Sequence, residues 1–420
     1  MSFETISVIG LGYIGLPTAA IFAAHHKKVI GVDINQYTVD AINQGKINIF
    51  EPNLYKIVKV AVETGYLKAF TRPQCADVFL IAVPTPLKDD HKPDLSYIMK
   101  AAESIALLLK KGDLIILEST SPIGTTEKMA DQLAIIRSDL TFPQHNGENS
   151  DIDIAYCPER VLQGKVMLEL IKNDRVIGGM TMKSSQRAIK LYKIFLSGEC
   201  IITNTKTAEM SKLIENSFRD VNIAFANELS FICCEHGINV LELISLANRH
   251  PRVNILEPGP GVGGHCIPID PWFIVDQNPK QSHLIHTARL INDSKPIWVV
   301  DQVKTALINY LTKTNKLLNK IKIACFGLTF KPDTSDLRGS PAIQIIKMIS
   351  DWHIDTTYVI EPNINELPKS LNGLCKLVSS EVAIANADII LLLVYHKEFK
   401  SINRKQIQQK CIFDTKGVWR

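Results

Sequence analysis

The sequence predicts an α/β protein in which two doubly wound parallel sheets are joined by a central helical domain. Three observations carry this. Near the N-terminus a β-branched run, a glycine cluster, a small-residue helix and a second strand ending on an acid follow one another directly, from Thr5 to Asp33. In the middle, Ala208 to Gly237 keeps apolar residues at helical spacing throughout. From Ile321 onward a strand, a loop, a helix and a strand begin a second α/β unit. The boundaries expected from these patterns are residues 1–200, 201–312 and 313–420.

Composition sets outer limits. A chain of 420 residues with 46% hydrophobic and 21% charged residues has enough apolar material for several cores, as a globular enzyme does. A net charge of +4 is too small and too evenly spread to argue for nucleic acid or a membrane surface as partner. The nine cysteines show neither a disulfide framework nor zinc-ligand spacing, so no metal is expected, and an odd count suits a reducing cytoplasm. The apolar run Ile6 to Ala24 lacks a basic flank and is broken by Gly10, Gly12, Gly15 and Pro17, unlike a signal peptide. No uninterrupted apolar stretch of about 20 residues occurs, so no membrane span is expected.

In the first domain Thr5 to Ile9 reads as a buried parallel strand. Gly10, Gly12 and Gly15 follow at G-x-G-x-x-G spacing, and the next strand, Lys28 to Val32, ends on Asp33. Such glycines let a pyrophosphate approach a helix N-terminus, and the acid takes the ribose hydroxyls. Strand, glycines, helix, strand and acid in order are specific for a Rossmann-like dinucleotide site. An acid without a following arginine favours NAD over NADP. Further strands are expected at Val78 to Val83, Leu114 to Glu118 and Ile154 to Tyr156, with helices between. Ligands bind at the carboxyl ends of such strands. Thr85, Thr120 and Glu159 fall there, and Thr125 and Thr126 open the next helix. Threonines at strand ends are also ordinary turn residues.

The central helix carries a stripe of Glu209, Lys212, Asn216, Arg219, Asp220 and Asn227, spaced mostly three, four or seven apart. A solvated face is the plain alternative. Lys212 and Asn216, one turn apart, suit an ammonium and an amide presented to one substrate oxygen. His250 and Arg252 then lead into the loop Glu257 to Trp272, which holds Gly259, Gly261, Gly263, Gly264 and Cys266. Glycines there let backbone pass close to something bulky. Asp270-Pro271 reads as an N-cap and first helical position, which sets Cys266 just ahead of a helix N-terminus, where a thiolate is favoured. The alternative for Cys266 is a buried structural cysteine. A second long helix, Leu284 to Leu311, suits a brace between domains or a dimer interface.

The last third repeats the α/β pattern: strands at Ile321 to Phe326, Thr356 to Ile360, Ile389 to Val394 and Cys411 to Asp414, and a helix at Ala342 to Ser350. Lys331, Asp336 and Arg338 follow the first strand, where a diphosphate would bind. The domain has no G-x-G-x-x-G, so no second dinucleotide is assigned to it.

Taken together these stretches resemble the UDP-glucose/GDP-mannose dehydrogenase family over essentially the whole chain. The matching runs are GLGYIGLP at 10–17, ESTSPIGTT at 118–126, CPER at 157–160, the helix with Lys212 and Asn216, GGHC-x-x-x-D at 263–270 and GLTFKPDTSDLR at 327–338. The resemblance implies two Rossmann-like doubly wound domains joined by a central helical domain, for NAD, catalysis with dimerisation, and UDP-sugar in chain order. The spelling RHPRVNILEPGPGVGGHC, with KNDRVIGG and an EPN–KGVWR ending, is similar to the members acting on UDP-N-acetyl-D-mannosamine (UDP-ManNAc). Their product is the acidic amino sugar UDP-ManNAcA of enterobacterial common antigen and related surface polysaccharides.

The family's chemistry takes a C6 alcohol to an acid in two hydride transfers. By the resemblance, Cys266 forms a thiohemiacetal and then a thioester, and Glu159 with Thr120 directs the hydrolytic water. Lys212 and Asn216 steady the oxyanion, Lys212 also as general acid/base, and Asp270 supports that network. Arg160, Val161, Lys212, Asn216, Arg219, His250, Arg252, Gly263, Phe330, Lys331 and Lys416 are its substrate positions. Gly10, Gly12, Tyr13, Ile14, Gly15, Asp33, Thr85, Thr120, Thr126 and Arg338 are its cofactor positions. Arg252 is expected to reach the neighbouring active site of a homodimer. One departure stands out: glucose-specific members carry a second glutamate where this chain has Gln163. Pro258 and Pro260 also differ, in line with a different hexose pocket. UDP-N-acetylglucosamine and UDP-glucose remain alternative substrates. A two-electron hydroxyacid dehydrogenase leaves Cys266 and the last domain without a role, and a non-catalytic nucleotide-sugar binder leaves Cys266, Lys212, Asn216 and Glu159 without one.

Overall fold

The computed structural model describes residues 3–49, 51–417 and 419. Val418 and Arg420 of the KGVWR ending lie outside them. The chain packs into two compact units, residues 1–215 and 216–420, whose boundary falls inside one long helix.

The first unit holds an eight-stranded sheet. Its strands are β1 (Thr5–Ile9), β2 (Lys28–Val32), β3 (Leu67–Phe70), β4 (Val78–Ile81), β5 (Leu114–Leu117), β6 (Asp153–Tyr156), β7 (Arg175–Gly179) and β8 (Cys200–Thr203), in the order β3-β2-β1-β4-β5-β6-β7-β8. All neighbours run parallel except β6 and β7. Parallel strands covered by helices on both faces read as continuous apolar runs. Accordingly β4 (VFLI) and β5 (LIIL) are buried at every position. Alternate side chains feed two cores. Ile6, Val8, Leu80 and Ile116 enter one with Phe22 and Tyr192; Ile9, Phe79, Ile81 and Ile115 enter the other with Ile98 and Met129. The strand order reverses between β1 and β4, which opens a crevice at their carboxyl ends.

The second unit holds a five-stranded parallel sheet. After the extended β9 (Lys322–Phe326) and β10 (Thr356–Ile360) come β11 (Lys376–Leu377), β12 (Ile389–Leu392) and β13 (Cys411–Asp414), in the order β11-β10-β9-β12-β13. Its reversal lies between β9 and β12. A helical region precedes it. The Thr205–Glu235 helix crosses the unit boundary, the Val240–Ala247 and Asp270–Gln277 helices are short, and the His283–Thr314 helix has 32 residues. Val299, Val303 and Leu307 of that last helix join the core over the five-stranded sheet.

Candidate active site

In the first unit, Gly10 follows β1 with φ +94°, and a side chain there would stand 2.5 Å from the carbonyl oxygen of Ala82. A side chain at Gly15 would run into the carbonyl of Gly10, whereas the space over Gly12 is open. The turn therefore has two glycines fixed by the fold and a third facing free space, the cradle a pyrophosphate needs. The Gly15–Ala24 helix starts at the end of this turn with no side-chain cap at Ile14. Half-buried Asp33 accepts N–H groups from Leu11 (3.1 Å) and Asn35 (2.9 Å), one on each carboxylate oxygen, which leaves lone pairs for a ribose. These residues fit NAD. Around them, Thr85 donates through Oγ1 to the carbonyl of Thr120 (2.8 Å). Thr126 is fully buried and donates through Oγ1 (2.7 Å) and N–H (2.8 Å) to Glu209, so its hydroxyl proton is committed to the protein. Tyr13 and Ile14 are half-buried at the turn.

At the carboxyl end of β6, Glu159 is buried. Its Oε1 accepts from the N–H of Arg160 (2.7 Å) and its Oε2 from Nη2 of Arg175. Arg175, at the start of β7, also reaches Oε1 of Glu118 through Nη1 (3.2 Å). The hydroxyl of Tyr192 donates to that same oxygen (2.6 Å), and the guanidinium stacks 4.1 Å above the tyrosine ring. Burial pushes the pKa of Glu118 up to about 7; the nearby Glu159 adds to the rise and Arg175 opposes it. The same burial drives the Cys157 thiol far above its ordinary range. The guanidinium of Arg160 pairs with Glu215 (2.7 Å), and Val161 is half-buried beside it. Sequence reading singled out Glu159 but not Glu118, Arg175 or Tyr192. The one available signal was an acid closing the wholly apolar run LIIL.

In the second unit the expectation for Asp270 needs correction. The helix begins at Asp270 and its N-cap is Ile269, because the carbonyl of Cys266 already accepts N–H groups from Ile269 (3.0 Å) and Asp270 (2.9 Å). The Asp270 carboxylate is buried and accepts instead from Nδ2 of Asn216 (2.5 Å). Cys266 is exposed on this turn, not buried in a core. The bulky neighbour of the glycines proves to be protein. A side chain at Gly263 would meet Cβ of Phe330 at 2.7 Å, and one at Gly261 would meet Pro341 and Pro296. The N–H of Gly264 donates to the carbonyl of Arg338 (3.1 Å). The Cys266 loop is thus clamped onto the loop that carries Phe330 and Lys331.

That second loop hangs on Glu361, at the end of β10. Glu361 accepts N–H groups from Leu328 (2.7 Å) and Thr329 (3.1 Å), and His396 Nε2 lies 2.8 Å from it. These bonds hold its pKa down to about 2 against the opposing effect of burial, which is the larger single influence. Arg338 pairs with Asp336 (2.6 Å). Lys416 donates to the carbonyl of Pro258 (3.0 Å), and burial lowers its pKa from the ordinary lysine value. His250 and Arg252 are exposed, just after the Val240–Ala247 helix.

The polar stripe divides. Glu209, Asp220 and Asn227 are fully buried and hold structure: Glu209 takes the start of the Thr125–Ile136 helix, Asp220 takes Arg289 and Asn292, and Asn227 takes the N–H of Gly259 (3.0 Å). Lys212 and Asn216 are half-buried and Arg219 exposed, Lys212 belonging to the first unit and the other two to the second.

Against known proteins, the chain matches three domain models of one family, described as UDP-glucose/GDP-mannose dehydrogenase: the NAD binding domain (residues 4–196), the central domain (206–294) and the UDP binding domain (324–420). It is 66% identical over 420 residues to the UDP-N-acetyl-D-mannosamine dehydrogenase of Yersinia pestis and 65% identical to that of Escherichia coli K12, with 100% of each chain covered. Among solved structures, a UDP-D-ManNAc dehydrogenase of Pyrococcus horikoshii is similar with a TM-score of 0.87 and 38% identity, over 99% of this chain and 96% of that one. The Cap5O UDP-N-acetyl-mannosamine dehydrogenase of Staphylococcus aureus gives 0.85 and 41%, over 99% and 95%.

Proposed function

The chain belongs to the UDP-glucose/GDP-mannose dehydrogenase family and is an NAD-dependent dehydrogenase, and we propose that it oxidises the C6 alcohol of UDP-N-acetyl-D-mannosamine to UDP-N-acetyl-D-mannosaminuronic acid. The product would feed surface polysaccharides such as enterobacterial common antigen. Cys266 carries the four-electron part of this reading: an exposed thiol on a clamped glycine loop, one turn before buried Asp270, which accepts from half-buried Asn216.

NAD held at the Gly10 turn would supply the hydride acceptor, one molecule for the first oxidation and a second, after exchange, for the other. Lys212 acts as the general base on the C6 hydroxyl. Cys266 then adds to the resulting aldehyde, forming a C–S bond while the carbonyl oxygen takes a proton. Loss of a second hydride and that proton gives a thioester. Asn216, oriented by Asp270, donates to the oxyanion at each addition. Glu159 takes a proton from the attacking water, the C–S bond breaks and the thiol is restored. In sum, one alcohol and one water give one carboxylate, two hydrides and three protons. Lys331 and Lys416 suit the diphosphate end of the substrate by charge, with Arg160, Val161, Arg219, His250, Gly263 and Phe330 as further substrate positions. Arg338 is the remaining cofactor position.

A homodimer fits the same reading. Phe218, Phe225 and Ile232 stand exposed at seven-residue intervals on one long helix, and Leu290 and Ile297 do so on the other. Arg252, exposed, would extend to the partner's substrate. Among the described residues no helix is long and apolar enough to cross a membrane. The nine free cysteines favour the cytoplasm.

The test is the yield of NADH per sugar consumed, with UDP-N-acetylglucosamine and UDP-glucose run beside UDP-N-acetyl-D-mannosamine. Two NADH per sugar from the mannosamine epimer alone is the expected result. One NADH per sugar removes the thioester, and two from another sugar removes the substrate assignment.

A further inference from the structure

We propose that Asn227 is a positioning residue for the substrate's diphosphate: it fixes the peptide between Pro258 and Gly259, and that peptide holds the ammonium of Lys416. This deepens, and rests on, the reading that Lys416 meets the diphosphate.

A peptide that precedes a glycine turns over easily, because glycine accepts either sign of φ. Here both polar groups of the peptide are held. The N–H of Gly259 donates to Oδ1 of Asn227 (3.0 Å), and the carbonyl of Pro258 accepts from Nζ of Lys416 (3.0 Å). In a trans peptide the two groups point opposite ways, so whatever fixes the N–H also aims the carbonyl. Lys416 depends on that aim. Among the described residues no carboxylate pairs with its ammonium; Glu257 and Asp414 favour its charge only from farther off. An ammonium has three donors, and the one carbonyl leaves the others for an anion. The ammonium also lies close over the turn, since a Cβ added to Gly259 would stand 3.5 Å from Nζ.

Asn227 can present only its oxygen to Gly259, and its own neighbours enforce this. Its Nδ2 donates to Oδ1 of Asn292 (2.9 Å), and Nδ2 of Asn292 donates to Oδ1 (2.8 Å) and to the backbone carbonyl (3.0 Å) of Asp220. Asp220 in turn pairs with Arg289 (2.5 Å). A backbone donor stands at one end of this chain and a carboxylate at the other, so each amide must accept on one side and donate on the other. Neither amide can flip without setting oxygen against oxygen. Asp220, Asn227, Arg289 and Asn292 are at most 1% exposed, so a lost link would leave a buried polar group unpaired.

Cys266 lies outside this control. The same loop is held separately at Gly261 and Gly263, which lie against Pro341 and Phe330. The two amides therefore act on binding at Lys416 and leave the thiol in place.

The test is a double-mutant cycle in the full chain, read by titration with UDP. Asn227→Ala should raise the Kd for UDP and the KM for the UDP-sugar roughly tenfold, while kcat and the Kd for NAD stay within about twofold. Lys416→Met, which keeps the stem and removes the charge, should weaken UDP binding by at least as much. The double variant should bind UDP no more weakly than Lys416→Met alone. If the two losses multiply instead, or if Asn227→Ala binds UDP like the wild type, the proposal is overturned and Asn227 only holds the fold. If Lys416→Met binds UDP like the wild type, the assignment of Lys416 to the diphosphate fails, and the proposal with it. Asn292→Ala, one link further in, should act in the same direction by roughly threefold, and it decides the same cycle if Asn227→Ala does not fold.

Discussion

The two sheets place the same device at their reversal points and use it differently. In each, the first strand ends in a glycine with positive φ, Gly10 at +94° and Gly327 at +89°, whose N–H donates to the last residue of the next strand at 2.8 Å. In each, an acid directly after that next strand accepts backbone N–H groups from the glycine turn. Asp33 accepts one of them and stays half open. Glu361 accepts two, is backed by His396 and Asn363, and is 4% exposed. The open acid leaves room for a ribose; the sealed one makes its turn a rigid base for a long loop. Asp33 therefore retains acceptor capacity for a ribose, whereas both oxygens of Glu361 are taken up by the protein.

The strongest way to sharpen this contrast is Cys266→Ala, which separates the thiol of the second unit from cofactor binding in the first. Formation of the acid should fall by about a thousandfold or more, while NAD titrated by fluorescence binds as before. Next is Glu361→Gln. Its depressed pKa corresponds to a contribution on the order of 3 kcal/mol, and the substitution should lower the denaturant midpoint of the second unit accordingly. Asp33→Asn should do the reverse: little change in stability, with KM for NAD raised roughly tenfold. If both substitutions act only on stability, the contrast between open and sealed acids is wrong. The smallest effect is in pH. Glu361 has its pKa lowered from 4.5 to about 2, so its stabilisation is present above about 4.5 and lost as pH falls toward 2. Glu118 has its pKa raised from 4.5 to about 7, so its stabilisation is present below about 4.5 and lost as pH rises toward 7. Urea melts followed over that range should show the first unit weakening at the alkaline end and the second at the acidic end.

Legibility in the sequence followed the contrast between a strand and its flanks. Strands β1, β2, β10 and β13, which mix polar with apolar residues, are read to the residue, and the wholly apolar β4, β5 and β12 to within two. Strands β3, β7, β8 and β11 escaped. The first alternates as a short edge strand, β7 starts on a charge and ends on two glycines, β8 is largely exposed and β11 has two residues. Glycine spacing announced the dinucleotide turn, and glycines with a cysteine announced the second loop. The partners of Glu159 did not show, since Glu118 and Arg175 are 57 residues apart and meet only through strand order. Helical periodicity likewise placed Glu209, Asp220 and Asn227 on one stripe with Lys212 and Asn216. It could not tell which of them other elements would cover.

Gly261 and Gly263 lie against Pro341 and Phe330 so closely that neither loop can change its packing surface alone. Residues 257–272 and 327–341 therefore form one unit of inheritance, although some 55 residues separate them. Chimeras between relatives that exchange one segment should misfit at this seam, and those that exchange both should carry sugar preference across intact.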